Sequence, residues 1–294
     1  MATALLPTER ANDVTSPVKP GMGAIPHSKG VAFRVWAPHA SRVWVTGTFD
    51  DWQSDANEMS AEEYGHWYID LANVRIGDEY RYIIENGDQR FSRIDPYARE
   101  VTNSVGNGVV HNPSYDWEDD NYTMPAWNEL VIYELHIGTF HDEPGGLPGT
   151  FSDAELKLQH LKDLGINAIE IMPAAEFAGD FSWGYNPAHM FSIESAYGGP
   201  IAFKRFVKKA HSLGMAVILD VVYNHFGPSD LSLWQFDGWS DNHLGGIYFY
   251  NDWRSETPWG NSRPDYGRGE VRQFIRDNAL MWLKTTASTA CGTI

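Results

Sequence analysis

One short string carries the densest chemistry in this sequence. Asp220-Val-Val-Tyr-Asn-His225 puts a carboxylate, an amide and an imidazole within six positions, at the end of an apolar run. Three further strings, Tyr133-Glu-Leu-His136, Trp183-Gly-Tyr185 and Ser195-Ala-Tyr-Gly-Gly199, sit on or just beyond other apolar runs. Polar groups of these types take hydroxyls, and aromatic rings pack on the flat C–H faces of sugars. The chain has 12 Trp and 14 Tyr in 294 residues. Large aromatics also dominate core burial, so their number alone identifies no ligand.

The formal charge is −17, from 22 Lys plus Arg against 39 Asp plus Glu. Nucleic-acid and anionic-membrane partners need a basic surface to neutralise phosphate, so neither is expected. The single cysteine, Cys291, excludes an internal disulfide and fits a reducing compartment. Met1 to Pro20 has no basic start followed by an apolar stretch, and no run reaches about 18 apolar residues. A cytoplasmic location is the expectation.

The elements that must position these strings fall into two blocks. Residues 1–28 mix Pro, Gly, Thr and Asn without period and are expected to be a flexible leader. Across 29–118, short alternating runs such as Val31–Trp36, Arg42–Val45, His66–Leu71 and Glu79–Ile84 are punctuated by Pro38, Gly47, Gly77-Asp78 and Asn86-Gly87. This spacing predicts an all-β, immunoglobulin-like sandwich. Residues 119–127 are a polar linker. From 128 to 283 the pattern becomes strand–helix–strand–helix, which predicts a parallel α/β array. The strands are Leu130–Ile137, Ile166–Met172 and Met215–Val222. The helices start near Asp153 (Ser152 as N-cap, Glu155 at the capping-box position), at Pro200 and at Gly269. The first strand, a nearly continuous apolar run, is expected to be buried. Long excursions leave the C-terminal end of each strand, the face where a (β/α)8 barrel builds its site. Pattern alone does not separate a barrel from an open sheet.

The four strings, in order and on these elements, resemble glycoside hydrolase family 13, the α-amylase family. Phe33-Arg-Val-Trp-Ala-Pro38 followed by Gly47-Thr-Phe-Asp-Asp-Trp52 resembles the glycogen-binding-type module that precedes its branching and debranching enzymes. The resemblance implies a multidomain protein: the sandwich, then an incomplete (β/α)8 TIM barrel of about three of eight βα units. It implies substrate-binding roles for Tyr185 (stacking on the sugar at the cleavage subsite), His225 (hydrogen-bonding that sugar) and Asp220 (orienting catalytic groups). Asn224 would hold the loop, without a metal, since no carboxylate cluster for calcium is evident. Trp44 and Trp52 are possible glucan contacts. The implied partner is an α-1,4-glucan (glycogen, starch or a maltooligosaccharide), and no cofactor is expected.

Retaining cleavage of such a bond needs a nucleophilic carboxylate and a second about 5–5.5 Å away as acid and base. The family resemblance places the nucleophile at the end of the fourth strand, in a D-G-[LF]-R-x-D string, and the other carboxylates further on. No catalytic residue of that kind is present. After Leu283 the chain reads Lys284-Thr-Thr-Ala-Ser-Thr-Ala-Cys-Gly-Thr-Ile294. In the reading frame one base earlier, these eleven codons admit E-D-Y-R-V-D-G-L-R-Y-D, letter for letter. Residues 284–294 are therefore expected to be a frameshifted tail, and the chain as given to be inactive.

The expected activity of the unshifted protein is that of a 1,4-α-glucan branching enzyme, favoured by the N-terminal module and the Asp95-Pro-Tyr-Ala98 string. The first alternative is a hydrolase of the same architecture, maltooligosyl-trehalose trehalohydrolase. A plain α-amylase fits less well, since it would usually carry a signal peptide and lack the module. The alternative of another class is a non-catalytic glucan-binding protein.

Overall fold

The computed structural model describes residues 18–118, 120–285 and 290–293. In the N-terminal block, β1 (Gly23–His27), β2 (Gly30–Trp36), β3 (Arg42–Gly47), β4 (Ser60–Ala61), β5 (His66–Leu71), β6 (Glu79–Asn86), β7 (Gln89–Arg93) and β8 (Gly108–Val109) form two antiparallel sheets. Their orders are β1-β2-β5-β4 and β3-β6-β7, with β8 on β6. Inward residues of the two sheets, among them Phe33, Val35, Val43, Val45, Tyr80, Tyr82 and Ile84, are buried together, as two sheets packed face to face require. The sandwich therefore begins earlier than residue 29. Strand β1 pairs with β2 from Gly23↔Arg34 to His27↔Gly30, so the last part of the stretch read as leader is an edge strand. Its short, Pro-containing sequence hides the alternation.

The second block holds β9 (Ile132–Leu135), α1 (Ile137–Phe140), α2 (Phe151–Glu155), α3 (Leu158–Asp163), β10 (Ala168–Ile171), β11 (Ala175–Phe177), β12 (Pro187–Ile193), α4 (Gly199–Ser212), β13 (Ala216–Val221), α5 (Gly269–Thr285) and β14 (Ala290–Thr293). The parallel sheet runs β14-β13-β10-β9. Helix α4 buries Phe203, Phe206, Val207 and Ala210, which share one face at helical spacing. Three details differ from the sequence reading. The N-cap of α2 is Thr150, not Ser152: Asp153 N–H donates to Thr150 Oγ1 and Thr150 N–H to Asp153 Oδ2. The stretch read as one helix divides into α2 and α3 around Leu156. Strand β9 is an edge, with Ile132 45% exposed, because no strand among the described residues covers its outer side.

The excursion after β10 contains the antiparallel hairpin β11–β12, in which every residue of β12 is buried. Glu176 and Glu194, both buried, fasten it. Glu176 Oε2 accepts from Ser195 N–H at 2.7 Å, and Glu194 accepts from Ala196 and Phe177 N–H at 2.9 and 3.2 Å. Burial pushes both carboxyls above the ordinary range, with the charge of Glu194 adding to it at Glu176 and the charge of Asp180 at Glu194.

The excursion after β13 docks on the sandwich. Asp237, fully buried, accepts from the His39 backbone at 3.0 Å and ring at 2.9 Å. Arg93 donates to the carbonyls of Phe236 and Gln235, both at 2.9 Å, and Trp36 packs edge-on against Tyr248. The polar linker is also anchored, by Asp120 to His211 at 2.7 Å.

Candidate functional site

Strand β13 ends at Val221, so Asp220 lies at its C-terminal end and Asn224 and His225 open the following loop. Parallel pairing aligns β10 with both neighbours, Glu170 with Glu134 on one side and with Ile218 on the other. The C-terminal ends of three strands therefore meet at one face. Tyr185 reaches this face from the loop between β11 and β12. Gly184 sets its path: φ is +87°, and a Cβ there would come 1.8 Å from the Pro173 carbonyl oxygen. Only glycine accepts both conditions. His136 pins the same loop, its Nε2 lying 2.8 Å from the Ser182 carbonyl.

Tyr185 OH donates to Asp220 Oδ2 at 2.9 Å. Asp220 is buried, and its Oδ1 has no hydrogen-bond partner among the described residues. Burial raises the Asp220 carboxyl above its ordinary range; the Tyr185 hydrogen bond opposes this and the charge of Glu134 adds to it. Burial also raises Tyr185, with the hydrogen bond to Asp220 next, so its hydroxyl stays a donor.

His225 Nε2 lies 2.9 Å from the Tyr185 carbonyl and Nδ1 2.7 Å from Asn224 Oδ1. Burial lowers its pKa, favouring the neutral ring. Nε2–H then donates to Tyr185, and Nδ1 requires the Asn224 amide turned to present its NH2. A sugar hydroxyl would have to share or displace the Tyr185 carbonyl. Trp259 stacks on the ring at 4.5 Å and is itself 57% exposed.

Tyr185, Asp220, Asn224 and His225 are thus brought together. Trp44 and Trp52 lie apart, in the sandwich. Trp44 is 2% exposed, with Arg42 and Arg90 at 4.4 and 4.9 Å from its ring centre. That burial withdraws it as a glucan contact. Trp52 stays 39% exposed. Sequence reasoning missed Glu134 and Glu170, whose charges act on Tyr185; Glu134 lay inside a quoted string without a role. It also missed Trp259, a lone Trp in a long loop with no periodic signal.

The architecture is thus a β-sandwich fused to a parallel βα array, with polar groups gathered at the strand ends. Residues 21–98 match carbohydrate-binding module 48 (isoamylase N-terminal domain), and residues 97–282 match the alpha amylase catalytic domain. The chain belongs to the alpha-amylase catalytic domain family, glycoside hydrolase family 13, with an N-terminal module 48.

Among curated relatives, a malto-oligosyltrehalose trehalohydrolase of Saccharolobus solfataricus is 38% identical over 257 residues, covering 86% of this chain and 42% of the relative. A 1,4-alpha-glucan branching enzyme of Salinibacter ruber is 33% identical over 278 residues, covering 89% and 44%. Among solved structures, a putative alpha amylase from Salmonella typhimurium superposes with TM-score 0.79 at 33% identity, over 92% of this chain and 43% of that one. A pullulanase from Paenibacillus barengoltzii, at 23% identity and TM-score 0.78, shares the fold over 94% of this chain and 49% of its own. The chain spans about two fifths of the length of the curated relatives it matches.

Proposed function

We propose that these 294 residues carry the sugar-holding half of a retaining α-1,4-glucan-active site and do not turn substrate over. The hydrogen bond from Tyr185 to Asp220 carries this reading, because it leaves Asp220 Oδ1 buried and unpaired at the strand ends. A buried carboxylate oxygen without a partner is costly. It suits a site completed by a donor from an adjacent strand. The frame that restores E-D-Y-R-V-D-G-L-R-Y-D over 284–294 would supply an arginine at position 292, which pairs with Asp220. The nucleophile would fall at position 294, outside the described residues. Tyr185 would stack on the sugar, and His225 would take a hydroxyl in exchange for its bond to Tyr185. Asn224 would hold the loop, and exposed Trp52 would touch glucan outside the site.

Between the two reactions weighed for the restored protein, the higher identity to a trehalohydrolase (38% against 33%) favours hydrolysis that releases trehalose from a maltooligosyl chain. Branching transfer, favoured by the module and Asp95-Pro-Tyr-Ala98, is the second reading. The test is to sequence the gene across codons 284–294, express the restored frame, and supply maltooligosyl-trehalose and amylose separately. Trehalose release supports the first reading and new α-1,6 links the second. An absent D-G-L-R-Y-D in the neighbouring frame would remove the frameshift.

A further inference from the structure

A cavity of about 420 Å³ lies away from the glucan site, between the sandwich and helix α5, within the usual range for small-ligand pockets. Arg99 and His111 line both this cavity and a small recess behind it, where Lys204 and Phe191 form part of the wall. In a chain of formal charge −17, Arg99 and Lys204 on these adjoining walls, with Lys284 also lining the cavity, make a local reversal. Lys204 is 3% exposed. Its Nζ lies 3.3 Å from His111 Nε2, and the positive charge of Arg99 opposes its own. The carboxylates nearby are already engaged. Glu100 Oε2 accepts from His111 Nδ1 at 2.8 Å, and Asp277, across the cavity, accepts from the Tyr97 hydroxyl and from Gln273. Among the described residues, no hydrogen bond or ion pair is made by the Arg99 guanidinium. A planar cation of this kind is suited to bidentate binding of an oxyanion.

We propose that this seam binds a phosphorylated sugar. The phosphoryl group sits against the Arg99 guanidinium, with Lys204 behind it adding positive field. The rings of Tyr97 and Phe191, 4.6 Å apart, give the sugar ring an apolar wall, and Asp277 accepts from a sugar hydroxyl. Because the seam joins Tyr97 and Arg99 of the sandwich to α4 and α5 of the barrel block, occupancy ties the two blocks together. The site is independent of the glucan reading.

The experiment is calorimetric titration of the full 294-residue chain with glucose 6-phosphate, inorganic phosphate and glucose, without glucan. One saturable site for glucose 6-phosphate is expected, with weaker phosphate binding and no response to glucose. Arg99→Gln should weaken glucose 6-phosphate by about tenfold or more, the scale of a lost charge-assisted hydrogen bond. Asp277→Asn lies on the opposite wall and keeps the phosphoryl contacts. It removes a negative charge facing the anion and an acceptor for the sugar. It should therefore tighten inorganic phosphate while narrowing or abolishing the preference for glucose 6-phosphate over phosphate, and the test stands even where Arg99→Gln does not fold. An unchanged preference would overturn the sugar contact. No saturable binding of glucose 6-phosphate, equal affinity for glucose, or unaltered binding by a folded Arg99→Gln variant would overturn the proposal.

Discussion

Asp220 stands opposite Gly292 across the parallel pair β13–β14, and its Oδ1 is buried without a hydrogen-bond partner. Glycine has no side chain with which to donate to it. Parallel partners in register send their side chains to the same face, so a donor at position 292 would lie beside this oxygen. Gly292→Arg should therefore stabilise the chain by about 1.5–3 kcal/mol, the value of a hydrogen bond to a charged group. Thermal unfolding measures this as a higher midpoint. The gain should vanish in an Asp220→Ala background, and an unchanged midpoint would count against the pairing.

Among the described residues Tyr185 gives the one side-chain hydrogen bond to Asp220, and Tyr185→Phe leaves the carboxylate with only its backbone bond from Val221. A cost of about 1–3 kcal/mol is expected, together with weaker retention of maltooligosaccharide in a pull-down. Wild-type stability in urea unfolding would refute the structural part.

Asp95 is buried beneath Tyr80, whose hydroxyl donates to it at 2.7 Å. Burial raises its carboxyl to about 6. The folded state thus holds this proton more tightly than the unfolded chain. The stability so contributed is full below the ordinary Asp range and is lost as pH rises through about 6. Asp95→Asn should lose this dependence. Its stability relative to wild type should improve between pH 4 and pH 7, followed by denaturant midpoints across that range; a constant difference would remove the linkage.

Among the described residues, strand β9 is an open edge with Ile132 and the preceding Val131 exposed, a template for pairing with another chain. Ile132→Lys should reduce self-association, seen by light scattering against concentration, at a stability change within about 0.5 kcal/mol. Unaltered scattering would place the association elsewhere.

Much of this architecture was legible because its signals are local. Alternation with turn residues marked β2, β3, β5 and β6, and the string ending in His225 marked a strand end with a polar loop. Hairpin β11–β12 escaped because β12 is buried on both faces and so lacks alternation. Trp44 misled because a strand aromatic reads the same whether it faces a ligand or lies under Arg42 and Arg90. The cavity at Arg99 was illegible for another reason: its walls come from stretches around 20–26, 80, 97–113, 191–204 and 277–284, joined only by the docking of one block on the other.

The most direct test is turnover by the 294-residue chain itself, on maltooligosyl-trehalose and on amylose, beside the restored-frame protein. The expected result is binding without product from the 294 residues and product from the restored protein. Steady release of sugar by the purified 294-residue chain would contradict the assignment of these residues as a sugar-holding half-site without a nucleophile.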